Sequence, residues 1–272
     1  MHGASRRRTL SYAPRRLVGP ALLAALALLA TGCASVPAAV VSSQGPSGSP
    51  SLPAGTPLDR PVPAEVANLA LVDQDGRTLT LASLRGKTVV LTDFLTLCQE
   101  ICPLTSANFD TARKLVAKAG LSDQVVFLEG TVDPARDTPA RLLAYQKIFG
   151  VAPNWKFFTG TPKDLAALWK FFGIYHEKVA EGSGPPPTDW LTGRPLTYDV
   201  SHQDVVVVLG PDGHERWLVD GTPDTSGVTP PTTLAKFLNH EGQQNLNKPS
   251  DPSWTAADLV AAIGAVTGKQ IG

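Results

Sequence analysis

Residues 87–109 read KTVVLTDFLTLCQEICPLTSANF. The first nine, KTVVLTDFL, form a near-continuous apolar run rich in β-branched side chains, the pattern of a central strand buried on both faces. The stretch continues as PLTSANFDTARKLVAKAG, in which Leu104, Phe109, Ala112, Leu115 and Val116 keep a helical period and Gly120 supplies the stop. Pro103 suits a first helical turn, where no backbone donor is lost. A buried strand that runs almost directly into a helix is an α/β unit, and open α/β sheets place their sites in crevices at the carboxyl ends of such strands. Cys98 and Cys102 fall in that junction.

The same alternation continues on either side. Upstream, ANLALVDQDGRTLTLASLRG predicts a hairpin turning at DQDG. Downstream, QVVFLEGTVD predicts a second buried strand. DTPARLLAYQKIFG predicts a helix capped by Thr138 with Pro139 at its first position. WKFFTG predicts a short strand, and TPKDLAALWKFFG a helix opened by Thr161 and Pro162, with Asp164 as an imperfect capping-box partner. EGSGPPPTDWLTGRP predicts a loop. DVVVVLG and HERWLVDG flank the turn GPDG as a second hairpin, and WTAADLVAAIGAV predicts a last helix opened by Ser253 or Thr255. This order predicts an α/β fold: a mixed central sheet flanked by helices, with an N-terminal hairpin and a C-terminal extension.

The N-terminal part has a different composition. Residues 1–20 carry five arginines and no acid, and the apolar stretch ALLAALALLATGC ends at Cys33. A basic segment, a short apolar run and small residues before a cut constitute an export signal, and about a dozen apolar residues are too few to span a bilayer. Ala-Thr-Gly before Cys33 resembles the lipobox of bacterial lipoproteins. That resemblance implies cleavage ahead of Cys33, lipidation of Cys33 and membrane anchoring by more than one acyl chain. Three regions follow: a lipoprotein signal peptide over 1–32, a Pro/Ser/Gly-rich disordered tether over 33–63, and a folded domain over 64–272. The whole chain balances 24 Lys+Arg against 24 Asp+Glu. Loss of residues 1–32 removes Arg6, Arg7, Arg8, Arg15 and Arg16 and no acid, leaving 19 bases, 24 acids and a formal charge of −5. A mildly acidic surface argues against nucleic acid as a partner.

Two of the three cysteines remain in the folded domain, too few for a disulfide scaffold. Outside the cytoplasm a neighbouring pair oxidises to a disulfide unless a metal holds it or a reductant acts on it. A thiol near a helix N-terminus is biased towards thiolate, which is both the metal ligand and the nucleophile. If residues 98–104 are helical, Cys98 and Cys102 stand one turn apart on one face, and both sulfurs reach one ion. A third ligand is sought among His176, His202, His214 and His240. His214 sits at a hairpin turn and His240 in the polar segment NHEGQQN. The alternatives are His202, which precedes the apolar strand, His176, or no histidine at all. An activated thiolate with Arg113 or Thr105 as partner is a peroxidase-like alternative. Glu100 is read as a solvated charge, Asp133 and Asp137 as turn and helix-start residues, and Trp155, Phe157 and Phe158 as core.

From about Asn68 to Leu218 the chain resembles the SCO/SenC family. The resemblance rests on CQEICP (98–103), DPARDTPARLLAY (133–145), NWKFFTGTPKDLAALWKFFGIYHEK (154–178) and YDVSHQDVVVVLGPDG (198–213). It implies a thioredoxin-like fold and a single copper ion, Cu(I) or Cu(II), bound by Cys98, Cys102 and His202. It also implies a role as a copper chaperone for cytochrome c oxidase, held at the extracytoplasmic face of the cell membrane. Its partner would be a copper-receiving oxidase subunit or another periplasmic copper carrier. The alternative is a thiol–disulfide oxidoreductase in which Cys98 and Cys102 are redox-active and keep the oxidase's copper-site cysteines reduced. Two departures stand out. Ser201 precedes the histidine where the family often has Asp, which leaves the partner of the imidazole open, and TLCQEIC lacks the aromatic and histidine often found around the first cysteine.

Overall fold

The structure, a computed structural model, describes residues 54–181 and 183–271. The expected signal peptide, Cys33 and most of the expected tether lie outside the described residues.

The chain begins with β1 (Thr56–Pro61), a one-turn helix α1 (Ala64–Ala67) and the hairpin β2 (Leu71–Asp73) and β3 (Thr78–Leu79). Then come β4 (Thr88–Phe94), α2 (Cys102–Lys118), β5 (Val125–Thr131), α3 (Pro139–Phe149), β6 (Trp155–Gly160) and α4 (Pro162–Phe172). A separate hairpin, β7 (His176–Val179) with β8 (Asp199–His202), precedes β9 (Val205–Leu209) and β10 (His214–Asp220). The chain ends with α5 (Thr232–Phe237), α6 (His240–Asn247) and α7 (Ala256–Thr267). Among the described residues the main sheet has eight strands in the order β1-β10-β9-β4-β5-β6-β2-β3.

β4, β5 and β6 are parallel, and β9 runs antiparallel to β4. Every residue of β4, β5 and β9 is buried, as their near-continuous apolar sequences require. The run β5-β4-β9-β10 with α2, α3 and α7 is a thioredoxin-like arrangement. β6 shows how the two faces are filled. Trp155 and Phe157 meet Phe149 and Tyr145 of α3, while Phe158 stacks on Trp169 of α4 across the sheet. Gly130 of β5 allows that stacking, because a Cβ there would lie 2.1 Å from the Phe158 ring. On the α2 side, α7 packs against α2 and over β4 and β9.

The expected helix starts hold where side-chain chemistry sets them. Thr138 accepts from the Arg141 amide, Thr161 from Asp164, and Thr255 closes a capping box with Asp258. One expectation is corrected. Residues 56–61, assigned to the tether, form β1 and pair antiparallel with β10 from Thr56↔Leu218 to Pro61↔His214. Backbone pairing at the open edge of β10 sets that strand, not apolar pattern, since five of its six residues are exposed. The helix expected in WTAADLVAAIGAV is present as α7, and ahead of it, between β10 and Pro249, lie α5 and α6, which no sequence pattern predicts.

Candidate metal centre

β4 ends at Phe94 and hands the chain to a tight loop, Leu95–Ile101, that precedes α2. Leu95 and Leu97 are buried and anchor the loop to the core. The Cys98 amide donates to Leu95 O at 3.2 Å, closing a turn. The helix begins only at Cys102, so the two cysteines do not share a helical face as expected. Cys98 sits ahead of the helix start and its Sγ accepts the Cys102 amide at 3.3 Å. The sulfur takes the place of the capping oxygen that no neighbouring Ser, Thr, Asp or Asn provides, and it meets the positive end of the helix.

His202 ends β8 and reaches into this loop. Its Nε2 lies 3.3 Å from Cys102 Sγ. Its Nδ1 lies 2.6 Å from Asp93 Oδ2 and 2.8 Å from Gln203 O. Asp93 is the last residue but one of β4, and its second oxygen accepts the Val205 amide at 3.2 Å. Asp93 is thus the carboxylate that orients the imidazole, the place left open by Ser201. A carboxylate in the run VVLTDF, where a strand buried on both faces tolerates polar groups only with a partner, was the available sign. Asp199 and Ser201 alternate away from His202 on β8, as expected for an extended strand.

Cys98 is 8% exposed and Cys102 1%. The two thiols are driven apart in acidity. A hydrogen bond from the Cys102 side chain, outweighing burial and aided by His202, holds the Cys98 thiol well below its usual range. Burial, and then the hydrogen bond and negative charge of Cys98, push the Cys102 thiol well up. Burial opposes charge on His202, but the hydrogen bond and charge of Asp93 prevail and hold its pKa well above the usual value. The two sulfurs therefore differ in character, Cys98 biased towards thiolate and Cys102 towards thiol, while the His202 ring, held by Asp93, is biased towards its protonated form.

One donor atom from each of Cys98, Cys102 and His202 lies within 4.8 Å of the other two, close enough to enclose one ion. Of the other histidines, His176 starts β7 directly across from His202 but lies outside that group. His214 pairs with Asp59 at 2.6 Å, and His240 opens α6, exposed. The peroxidase-like partners point elsewhere. Arg113 pairs with Asp110 and lies over the Trp155 ring, while Thr105 donates to Asp204 at 3.0 Å.

The loop is held from three sides. Asp137 accepts the Thr96 amide at 3.1 Å, the Thr96 hydroxyl, and Thr131 Oγ1 at 2.6 Å. Burial raises its pKa to about 6 against those hydrogen bonds. Its reach therefore extends beyond the helix start expected of it. Trp190, from the Pro-rich loop, donates its indole N–H to Thr96 O at 2.7 Å. From the tail, the Asn239 amide donates to Gln99 O at 2.9 Å and its side chain to Glu100 Oε1 at 2.7 Å. Glu100 is thus partly buried and tied down rather than solvated, and burial raises its pKa. Gly242 presses so closely that a Cβ would lie 2.2 Å from Gln99 O.

A family model described as SCO1/SenC matches residues 60–230. A protein of Stutzerimonas stutzeri to which copper binding is ascribed is 30% identical over 68% of this chain and 80% of its own length. The SCO1 protein homolog of Bacillus subtilis (strain 168) is 27% identical over 58% of this chain and 75% of its own. Among solved structures, one of a protein from Aquifex aeolicus VF5 aligns with a TM-score of 0.51 at 22% identity, covering 78% of this chain and 95% of that one. Copper-bound ScoI of Arabidopsis thaliana aligns at 0.48 and 24% identity, covering 64% and 91%.

Proposed function

Since the chain belongs to the SCO1/SenC family, we propose that it is a copper chaperone that binds one copper ion through Cys98, Cys102 and His202 and passes it on during assembly of cytochrome c oxidase. The observation that carries this reading is the convergence of two sulfurs and one imidazole within 4.8 Å, drawn from a strand–helix junction and a distant hairpin. The donor set suits the cargo. Thiolates favour soft Cu(I), and an imidazole completes a low-coordinate site. The nitrogen facing the sulfurs is Nε2, with Nδ1 engaged by Asp93, so the ring is already aimed. Ligation needs deprotonated sulfurs and a neutral imidazole, which couples copper affinity to pH.

The leader over 1–32, the lipid on Cys33 and the tether after it form part of the same proposal: the domain works at the extracytoplasmic face of the membrane, opposite an oxidase subunit or another copper carrier. Among the described residues no helix is long and apolar enough to cross a membrane. Cys33→Ser should move the protein from the membrane to the soluble fraction and remove the acyl mass from its N-terminus. An unchanged mass and an unchanged distribution would defeat the anchor.

The split acidity of the two thiols favours a second role. Cys98, the more exposed and more acidic, is suited to attack a partner disulfide and release one partner thiolate. Cys102, once deprotonated, then displaces the second partner sulfur. The partner ends as a dithiol and this chain as a Cys98–Cys102 disulfide; in the present structure both thiols are free. One variant separates the roles. In the reduced full chain, His202→Ala should abolish stoichiometric copper uptake and its thiolate charge-transfer absorbance while disulfide exchange persists. Copper uptake unaffected by that change would remove the chaperone reading.

A further inference from the structure

Three donors serve Cu(I) well, but Cu(II) favours a tetragonal site with a fourth. The other acidic groups nearby are engaged. Asp93 serves His202 and Val205, Asp204 is buried against Thr105, Glu100 is tied to Asn239, and Asp199 bonds the Val200 amide on the face away from His202. His176 is not so engaged. It is half-buried, and among the described residues no hydrogen bond or ion pair reaches its ring.

The hairpin register places it. In β7·β8, His176 is the direct partner of His202. The neighbouring Gln203 amide donates to Tyr175 O at 3.1 Å, which makes His176–His202 the non-hydrogen-bonded pair. In such pairs the Cα atoms stand about 4.5 Å apart and the side chains rise together on one face. The next pair of the same parity identifies the face: Lys178 Nζ lies 3.7 Å over the ring of Tyr198, and Tyr198, Val200 and His202 alternate onto the same side of their strand. That side turns His202 to the cysteines. His176 therefore lies beside His202 on the face turned to the site, outside the 4.8 Å group.

We propose that His176 is a fourth copper ligand selective for oxidation state: it swings onto Cu(II) held by Cys98, Cys102 and His202, and stands aside from Cu(I). The proposal rests on the copper reading above. It gives the site a two-sulfur, two-nitrogen set for Cu(II) from a residue exposed enough to move, so that Cu(II) is retained more tightly while Cu(I) remains free to leave.

The test uses the full chain in detergent, loaded separately with Cu(II) and Cu(I), with His176→Phe to keep a ring and His176→Val to keep strand propensity. In the parent, pulsed EPR should detect two coordinated imidazole nitrogens. Each variant should show one, with a shifted charge-transfer band and Cu(II) release faster by about tenfold or more, while Cu(I) affinity stays within about twofold. Superimposable Cu(II) spectra for parent and variants would overturn the inference and leave the three-ligand site standing. An equal loss of Cu(I) and Cu(II) would overturn it too, by showing that His176 supports the hairpin rather than one oxidation state. A parent that takes up no copper would remove the copper reading itself, and this inference with it.

Discussion

At Asp93 a fully buried carboxylate is made tolerable by acceptor bonds at both oxygens, one from the Val205 amide and one from the His202 ring. The second bond is functional because it sets which nitrogen faces the sulfurs. Asp93→Asn should keep the fold and lower copper affinity by about 10–100-fold, the usual cost of losing such a partner, as read by chelator competition. An affinity equal to the parent's would mean the ring is aimed by Gln203 O alone. Glu129 is a different case, a buried acid with neutral partners. Burial lifts its pKa from 4.5 to about 8, against hydrogen bonds from Ser106 at 2.6 Å and Trp155 at 2.9 Å. Because the folded value exceeds the unfolded one, the native state keeps a proton that the unfolded chain has released. Its contribution is complete below about pH 4.5 and is lost as pH rises through 8. Glu129→Gln, whose amide can still accept from Trp155 and donate to Ser106, should stabilise the protein by on the order of 2 kcal/mol at pH 7, with little gain at pH 4. Denaturant melts across that range will decide; a gain independent of pH would contradict the buried-acid account.

Among the elements, α6 shows how an addition after the family-matched region bears on the site. The match ends at residue 230, yet Asn239 and Gly242 contact the backbone of Gln99 and the side chain of Glu100, between the two cysteines. The segment can lie so close because Gly242 has no side chain. Gly242→Ala should force it off the loop, costing about 1–3 kcal/mol as overpacking does, and should raise amide exchange over 98–102. Asn239→Ala should speed that exchange with a smaller loss of stability. Unchanged exchange in both variants would show that the loop is held by Asp137 and Trp190 without help from the tail. Neither α5 nor α6 was legible beforehand. They have six and eight residues, α6 is polar and contains a glycine, and each bears a single buried residue, too little for a helical period to emerge. β1 was hidden for the opposite reason: its Pro-containing, largely exposed sequence looks like linker until β10 offers it an edge.

For the molecule as a whole, α7 closes the core. Leu259 and Ile263 are fully buried where the helix covers α2, β4 and β9. Leu259→Ala should cost about 2–5 kcal/mol in a denaturant melt, and truncation before α7 should leave the domain unfolded. A soluble, cooperatively melting truncated chain would show that the thioredoxin-like core stands without it. The alternation of buried strands and capped helices is legible in the chain, because apolar period and capping chemistry are local properties; VVFLEGT reads as an inner strand, and DTP opens a helix. It also placed the cysteines at a strand's carboxyl end. Which distant groups meet them is a matter of the assembled fold: His202 at 100 residues' separation from Cys102, Asp93 turned to its ring, His176 set beside it by hairpin register, and Asn239 returned from the C-terminal extension. Those meetings depend on strand order and register, which arise when the sheet is assembled as a whole and which no local window of sequence encodes.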